Sequence, residues 1–131
     1  MNDWAIRTDG LTRHFGTVHA VDGLTLRVDR GSVFGFLGPN GSGKTTTLRL
    51  LLGLLEPTSG SANVLGYDVS TQADAVREHV GALLEFNGLY ERLTAEQNLV
   101  FYGRIYRLAR ERRAERIERL LTHLDLWDRR R

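Results

Sequence analysis

The amino-acid sequence predicts a mixed α/β fold, in which short strands alternate with helices along one domain of 131 residues. The segment LTLRV (residues 24–28) alternates apolar and polar residues, as a half-buried strand does. The segment GSVFGFLG (residues 31–38) holds a short apolar run between glycines, which is typical of a strand buried on both faces of a parallel sheet. Residues 44–55 are almost all apolar with helical spacing, which predicts a buried helix that ends before Pro57.

The alternation of strands and helices continues along the rest of the chain. SANVLG (residues 61–66) predicts a short strand, residues 72–78 a short helix, and HVGALLEF (residues 79–86) another buried strand. In LTAEQNL, Thr94 and Gln97 have the spacing of a capping box, which predicts that a helix begins there. The last predicted helix carries an apolar stripe of period 3.6, formed by Ile117, Leu120, Leu121 and Leu124.

Composition excludes several functional classes. The chain has no cysteine, which excludes a disulfide scaffold, a thiolate metal site and a cysteine nucleophile. The net charge is only +2, and three arginines at residues 129–131 more than account for it, so we expect no nucleic-acid partner. The longest apolar run, LLLGLL, falls well short of the roughly 20 residues that span a membrane, and the start of the chain has no signal-peptide pattern. Four histidines show no metal-ligand spacing: His14, His19, His79 and His123.

One loop carries the strongest chemical signal. Residues 38–45, GPNGSGKT, match the phosphate-binding pattern G-x-x-x-x-G-K-[ST] between a predicted strand and a predicted helix. Glycines let the backbone approach phosphate closely, and the helix that follows directs its positive end at the same group. Lys44 is the single lysine among 18 lysine and arginine residues. Its compact ammonium suits the β- and γ-phosphates better than arginine's wider fork, and Thr45 offers Mg²⁺ a hard hydroxyl oxygen.

The sequence around this loop resembles the ATP-binding subunit of ATP-binding cassette (ABC) transporters. The resemblance is carried by LGPNGSGKTTTLRLLLGLLEPTSG and by GSANVLGYDV (residues 60–69) after it. VGALLEFNGLYERLTAEQNL (residues 80–99) resembles the family's Q-loop region, and LTRHFGTVHAVDGLTLRVDRG its N-terminal hairpins. The resemblance implies an α/β P-loop NTPase core of ABC type with N-terminal antiparallel β hairpins. Residues 1–131 would be the N-terminal part of one ATP-binding domain, with a helical subdomain starting at about residue 88.

The resemblance also implies a ligand, ATP with Mg²⁺, and roles for particular residues. Phe15 stands where the family has an aromatic side chain that stacks on adenine; a packed strand residue is the other interpretation. Glu85 stands where the family usually has the Q-loop glutamine, and would act with Lys44 in catalysis and with Thr45 on Mg²⁺; an ordinary loop glutamate is the other interpretation. The expected nucleotide-binding residues, besides Phe15, are Gly38, Pro39, Asn40, Gly41, Ser42, Gly43, Lys44, Thr45 and Thr46.

The 131 residues end before the family's later motifs: they contain no LSGGQ-type signature and no apolar Walker B strand that ends in Asp-Glu. We therefore expect this chain to bind Mg·ATP with little or no hydrolysis. The intact family protein would hydrolyse ATP, pair with a second ATP-binding subunit and drive transport through a separate membrane permease. It would lie in the cytoplasm at the inner face of the cell membrane. We also expect exposed apolar strand edges and low solubility, because no Walker B strand lies beside the loop strand.

Two other functions fit the same residues. One is a non-catalytic regulatory module that binds nucleotide, and the other is a non-transport ATPase of the ABC family. The segment LTAEQNL directly after the Q-loop region favours the transporter. The departure at Glu85 favours export over import.

Overall fold

The first part of the chain is built on a four-stranded antiparallel sheet with the strand order β2-β1-β3-β4. The computed structural model describes residues 4–84 and 88–131, which fall into two units, Met1–Leu84 and Glu85–Arg131. The strands of the first unit are β1 (Trp4–Phe15), β2 (Val18–Asp29), β3 (Ser59–Val64) and β4 (Tyr67–Asp68). Its helices are α1 (Lys44–Leu51) and α2 (Ala73–His79). The predicted strands at residues 24–28 and 61–66 and the predicted helix at residues 72–78 are confirmed with shifted ends.

Two buried threonines hold the long β1–β2 hairpin together where its pairing is irregular. The Thr8 hydroxyl donates to the Leu24 carbonyl at 2.8 Å and accepts from the Leu26 N–H at 2.9 Å. The Thr12 hydroxyl likewise accepts from the Gly23 N–H at 2.9 Å. Buried polar groups are stable only when they are hydrogen-bonded. These bonds therefore tie the middle of β1 to residues 23–26 of β2.

Helix α1 ends earlier than the sequence pattern predicts. The Gly53 N–H donates to the Leu50 carbonyl at 3.0 Å, and the Leu54 N–H donates to the Arg49 carbonyl at 2.9 Å. Gly53 has a positive φ of 62°. This pair of bonds around a left-handed glycine is a Schellman motif, which terminates a helix. The helix therefore stops at Leu51, and the signal for its end was Gly53 rather than Pro57.

The core of the first unit lies between the sheet and the two helices. Leu11, Leu50 and Val76 are completely buried in it. Helix α1 contributes only part of its surface to the core, because Leu48 is 44% exposed and Arg49 is also exposed. The prediction that this helix is buried all round is therefore wrong. The remaining members of the core are Val21, Leu51, Ala62, Val64 and Val69.

The two segments that were predicted as buried strands, residues 31–38 and 79–86, form no strand within their described residues. Residues 31–38 have no regular secondary structure, with Val33 fully exposed and Leu37 92% exposed. Residues 80–84 are also irregular, and Leu83 is 85% exposed. A strand needs a hydrogen-bonded neighbour, and within the described residues neither segment has one. Residues 85 and 86 of the second predicted strand lie outside the described residues.

In the second unit, the regular structure among the described residues is helical. It comprises α3 (Ala95–Ile105), α4 (Arg110–His123) and a short 3₁₀ turn (Trp127–Arg129). The predicted capping box is confirmed: the Gln97 N–H donates to the Thr94 hydroxyl at 3.2 Å, and the Thr94 N–H donates to the Gln97 side chain at 2.9 Å. The predicted start of a helical subdomain at about residue 88 stays a prediction.

Only half of the predicted apolar stripe of α4 is buried. Ile117 and Leu121 are buried, whereas Leu120 and Leu124 are exposed. In α3 the buried polar residue is Asn98, whose side chain bonds to the backbone of the preceding segment. Within the part of the chain that the structure describes, no helix has both the length and the apolarity needed to cross a bilayer.

Candidate functional site

The glycine loop turns sharply into α1 because two of its glycines adopt a left-handed backbone. Gly41 has a φ of 80° and Gly43 a φ of 85°. A β-carbon at Gly43 would lie 2.1 Å from the main-chain oxygen of Ala20 in β2. Only glycine fits both the conformation and the contact. The loop is therefore seated directly on the backbone of β2.

The Lys44 ammonium lies over the loop and is held by it. Its Nζ donates to the carbonyl oxygens of Gly38 and Pro39, each at 2.6 Å, and reaches the Ser42 hydroxyl at 3.4 Å. The Ser42 N–H closes the turn by donating to the Pro39 carbonyl at 3.3 Å. The loop thereby holds a positive charge close to its own backbone N–H groups.

The N-terminus of α1 strengthens that positive charge. Gly43 is the N-cap residue, no side chain caps the helix, and its first turn carries no acidic residue. Uncapped N–H groups and the helix dipole together favour an anion at this end. The buried Thr47 hydroxyl donates to the Gly43 carbonyl at 2.9 Å, which anchors the turn from inside. The arrangement can therefore hold a phosphate group at the start of the helix.

A cleft of about 270 Å³ opens between this loop and β2. This lies just below the usual range for small-molecule sites, about 300–1,000 Å³, so it suits the phosphates better than a whole nucleotide. The predicted residues that line it are Asn40, Gly41, Gly43, Lys44, Thr45 and Thr46. Val18, His19 and Ala20 also line it, and sequence reasoning missed them. Their contribution depends on how the hairpin folds over the loop, which a local motif does not encode.

Phe15 lies beside this cleft. It pairs across the hairpin with Val18, which lines the cleft, and its ring is 45% exposed. The Arg13 guanidinium carbon lies 4.6 Å from the centre of the ring, in a cation–π contact. An exposed ring at this place is available to stack on a planar group.

Glu85 lies outside the described residues. The proposed role of Glu85 therefore stays a prediction, as does its part in binding Mg²⁺.

Volume alone does not distinguish the glycine loop from other clefts. A larger cleft of about 490 Å³ lies along the sheet, lined by Trp4, Arg7, Asp9 and Arg30 among others. It contains no helix N-terminus and no lysine, and it carries acidic as well as basic groups. The loop is the stronger candidate because its charge, glycine geometry and helix end converge on one point.

The fold and the site define a class of protein: mixed α/β proteins with a glycine-rich loop at the start of a helix. The chain belongs to the ABC transporter family, whose family model matches residues 21–131. Among curated proteins, it is 46% identical over 128 residues to the daunorubicin resistance ATP-binding protein DrrA3 of Streptomyces coeruleorubidus, covering 98% of this chain and 40% of that protein. It is 44% identical over 115 residues to the probable multidrug ABC transporter ATP-binding protein YbhF of Escherichia coli (strain K12), covering 88% of this chain and 20% of that protein.

Solved structures agree with the family and with the predicted α/β fold. An ATP-binding subunit of an ABC transporter matches with a TM-score of 0.79 and 28% identity, over 96% of this chain and 52% of that chain. The protein cbiO1 of Clostridium perfringens, part of the ABC transporter complex cbiONQ, matches with a TM-score of 0.76 and 25% identity, over 92% of this chain and 50% of that chain. The present chain thus spans about half or less of each of these relatives.

Proposed function

We propose that this chain binds the phosphates of Mg·ATP at its glycine loop, as the ATP-binding component of an ABC exporter. The observation that carries the proposal is the Lys44 ammonium, held over a loop that ends at an uncapped helix N-terminus. A lysine at this position meets phosphate as a compact charge while the loop amides donate hydrogen bonds.

Thr45 in the cleft and Phe15 beside it would complete the binding of Mg·ATP. Thr45 would hold Mg²⁺ through its hydroxyl oxygen, a ligand that hard cations prefer. Phe15 would stack on the adenine. When bound, Mg²⁺ would neutralise phosphate charge, and the chain's own groups would position the triphosphate.

Hydrolysis by the 131-residue chain is a separate part of the proposal. Phosphoryl transfer depends on positioning and charge stabilisation around the attacking water. The sequence carries the phosphate loop without an Asp-Glu pair after an apolar strand. We therefore propose binding with little or no turnover by this chain alone.

The exporter assignment rests on the relatives. The proposed contact with a permease rests on an exposed surface of the second unit. The names of two relatives refer to daunorubicin resistance and to a multidrug transporter. In the second unit, four apolar side chains in α3 and in the segment before it are exposed: Leu89, Tyr90, Leu93 and Phe101. The Tyr90 and Phe101 rings make an edge-to-face contact at 4.8 Å. We propose that this surface contacts the membrane permease, and that a second ATP-binding subunit completes the transporter.

Calorimetry with Mg·ATP tests nucleotide binding. Wild type should bind, Lys44→Ala should bind at least about tenfold more weakly, and Lys44→Arg should not restore affinity. Arg49→Ala is the matched control, because it removes a positive charge from the exposed surface of the same helix, outside the cleft. Equal affinity in wild type and Lys44→Ala would overturn the site.

Measurement of phosphate release tests the proposal that this chain hydrolyses little or no ATP. No steady release is expected from the 131-residue chain. Turnover that is present in wild type and lost in Lys44→Ala would refute the proposal of binding without hydrolysis.

Association with a permease needs its own measurement. A Leu93→Asp variant should bind ATP normally and lose co-fractionation with membranes of the source cell. Unchanged co-fractionation would place the contact elsewhere.

A further inference from the structure

The tip of the β1–β2 hairpin brings together two histidines and an aspartate. His14 and His19 are direct cross-strand partners, and their rings stack with centroids 3.9 Å apart. Asp22 follows His19 by three residues, and its Oδ2 lies 4.0 Å from His19 Nδ1. The sequence showed no metal-ligand spacing here. Hairpin register rather than linear spacing brings these side chains together.

The donor atoms are close enough to share one ion. One possible ligand atom from each of the three residues lies within 4.8 Å of the others. A tetrahedral ion with bonds of about 2.1 Å places its donors about 3.4 Å apart, so a modest rotation of the side chains completes the site. His19 and Asp22 are free to make that rotation, because their side chains are 58% and 75% exposed.

His14 supplies an independent observation. Its Nε2 is buried and has no hydrogen-bond partner. Buried polar atoms without a partner are uncommon and need an explanation. In the tautomer that carries its proton on Nδ1, this nitrogen offers a lone pair to an ion.

From this arrangement we propose that His14, His19 and Asp22 bind a divalent transition-metal ion of the Zn²⁺ type. Two imidazoles and one carboxylate suit Zn²⁺, Co²⁺ or Ni²⁺, whereas Mg²⁺ and Ca²⁺ prefer oxygen ligands. Three protein ligands leave a fourth position for water or another exchangeable ligand. His19 also lines the cleft at the glycine loop, but the donor set differs from that of the nucleotide site, whose predicted metal ligands are oxygen atoms.

A competition titration tests the proposal on the full chain. Zn²⁺ is titrated against a chromophoric chelator, without nucleotide and with excess Mg²⁺. One Zn²⁺ per chain should bind. His19→Ala and Asp22→Asn should each weaken the Kd by at least about tenfold, the lower end of the loss seen even for groups that only orient a metal ligand.

The control and a second readout keep the test decisive. His123→Ala removes an exposed histidine of α4 and should leave the affinity unchanged. Co²⁺ in place of Zn²⁺ should give the visible absorption bands of a tetrahedral site, and these bands should disappear in His19→Ala. Equal Zn²⁺ affinity in wild type and His19→Ala overturns the proposal. Equal weakening in His123→Ala also overturns it, because binding would then be distributed over surface histidines.

Discussion

Gly43 faces the main-chain oxygen of Ala20 so closely that a β-carbon on it would lie 2.1 Å from that oxygen. Gly43→Ala must therefore displace either the loop or β2, and it must also adopt a φ of 85°. We expect a loss of at least about 2 kcal/mol in the free energy of unfolding, since a left-handed conformation alone costs about 1–2 kcal/mol. Urea denaturation at low protein concentration measures it.

Gly41→Ala is the matched control for that substitution. Its φ is similar, at 80°, but a β-carbon there meets nothing within 4 Å. It should cost only the conformational strain, about 1–2 kcal/mol. Equal losses in the two variants would mean that the contact with Ala20 does not constrain the loop.

The proposed stacking of Phe15 on adenine predicts a selective loss. Phe15→Ala should weaken ATP binding by about 1–3 kcal/mol, the usual value of stacking a base on an aromatic ring, whereas Phe15→Tyr should retain it. Inorganic triphosphate has no base, so its affinity should not change. Phe34→Ala, which removes a similarly exposed ring outside the cleft, is the control. A parallel loss of ATP and triphosphate affinity in Phe15→Ala would argue for a packing role instead.

The side chain of Asn98 holds the segment before α3 in place. Its Oδ1 accepts from the Tyr90 N–H at 2.9 Å, and its Nδ2 donates to the carbonyls of Tyr90, Leu93 and Thr94, each at 3.1 Å. Asn98→Ala removes the partner of the Tyr90 N–H and of the Leu93 carbonyl, whereas the Tyr90 and Thr94 carbonyls keep backbone partners. Loss of the two bonds should cost about 1–3 kcal/mol. Hydrogen exchange at the Tyr90 amide should accelerate. Arg92→Ala, at an exposed position of the same segment, should change neither quantity.

Asp68 should make the free energy of unfolding of the first unit fall in acid. The Thr71 N–H lowers the pKa of this carboxyl below its usual 3.8, against an opposing effect of burial, and the Ser70 N–H adds to the lowering. Because the folded pKa is below the unfolded one, the stabilisation is present above pH 3.8 and is lost as pH falls through the folded value. Asp68→Asn should lower the free energy of unfolding slightly at neutral pH, because its uncharged oxygen accepts these N–H bonds more weakly. Urea titrations in acid should show the two proteins converging, and a constant difference would contradict the prediction.

The exposed apolar side chains of residues 31–38 predict self-association. Val33 and Leu37 contribute nothing to the core, because both are almost entirely in contact with solvent. Val33→Ser combined with Leu37→Ser should raise the monomeric fraction in sedimentation experiments, because large exposed apolar patches promote association. Leu54→Ser removes a leucine that is 51% exposed just after α1, and should have a smaller effect. A wild-type chain that is already monomeric and unfolds in one sharp transition would contradict the prediction.

Local signals were read correctly from the sequence because the interactions behind them are local. The capping box needs only Thr94 and a residue three positions later, and it formed as predicted. The turn into α1 likewise depends on glycines within the loop itself. The end of α1 also has a local signal, because the helix closes at Gly53, four residues before Pro57.

Features that depend on distant parts of the chain were not predictable in this way. The apolar runs at residues 31–38 and 79–86 indicated burial. A strand forms only beside a neighbouring strand, however, and the apolar run does not specify that neighbour. The contact of Gly43 with Ala20 and the pairing of His14 with His19 both arise from the hairpin register. That register includes irregularities between Leu11 and His14, which no short motif describes.

We expect the bonds that tie the Lys44 ammonium to its own loop to make the site selective among anions. A ligand gains this cation only by outcompeting two carbonyl oxygens at 2.6 Å. Chloride offers a single contact and must give up its hydration shell. A polyphosphate offers several oxygens to the ammonium and the loop amides at once. We therefore expect the loop to discriminate among anions by charge number, binding polyphosphate in preference to chloride.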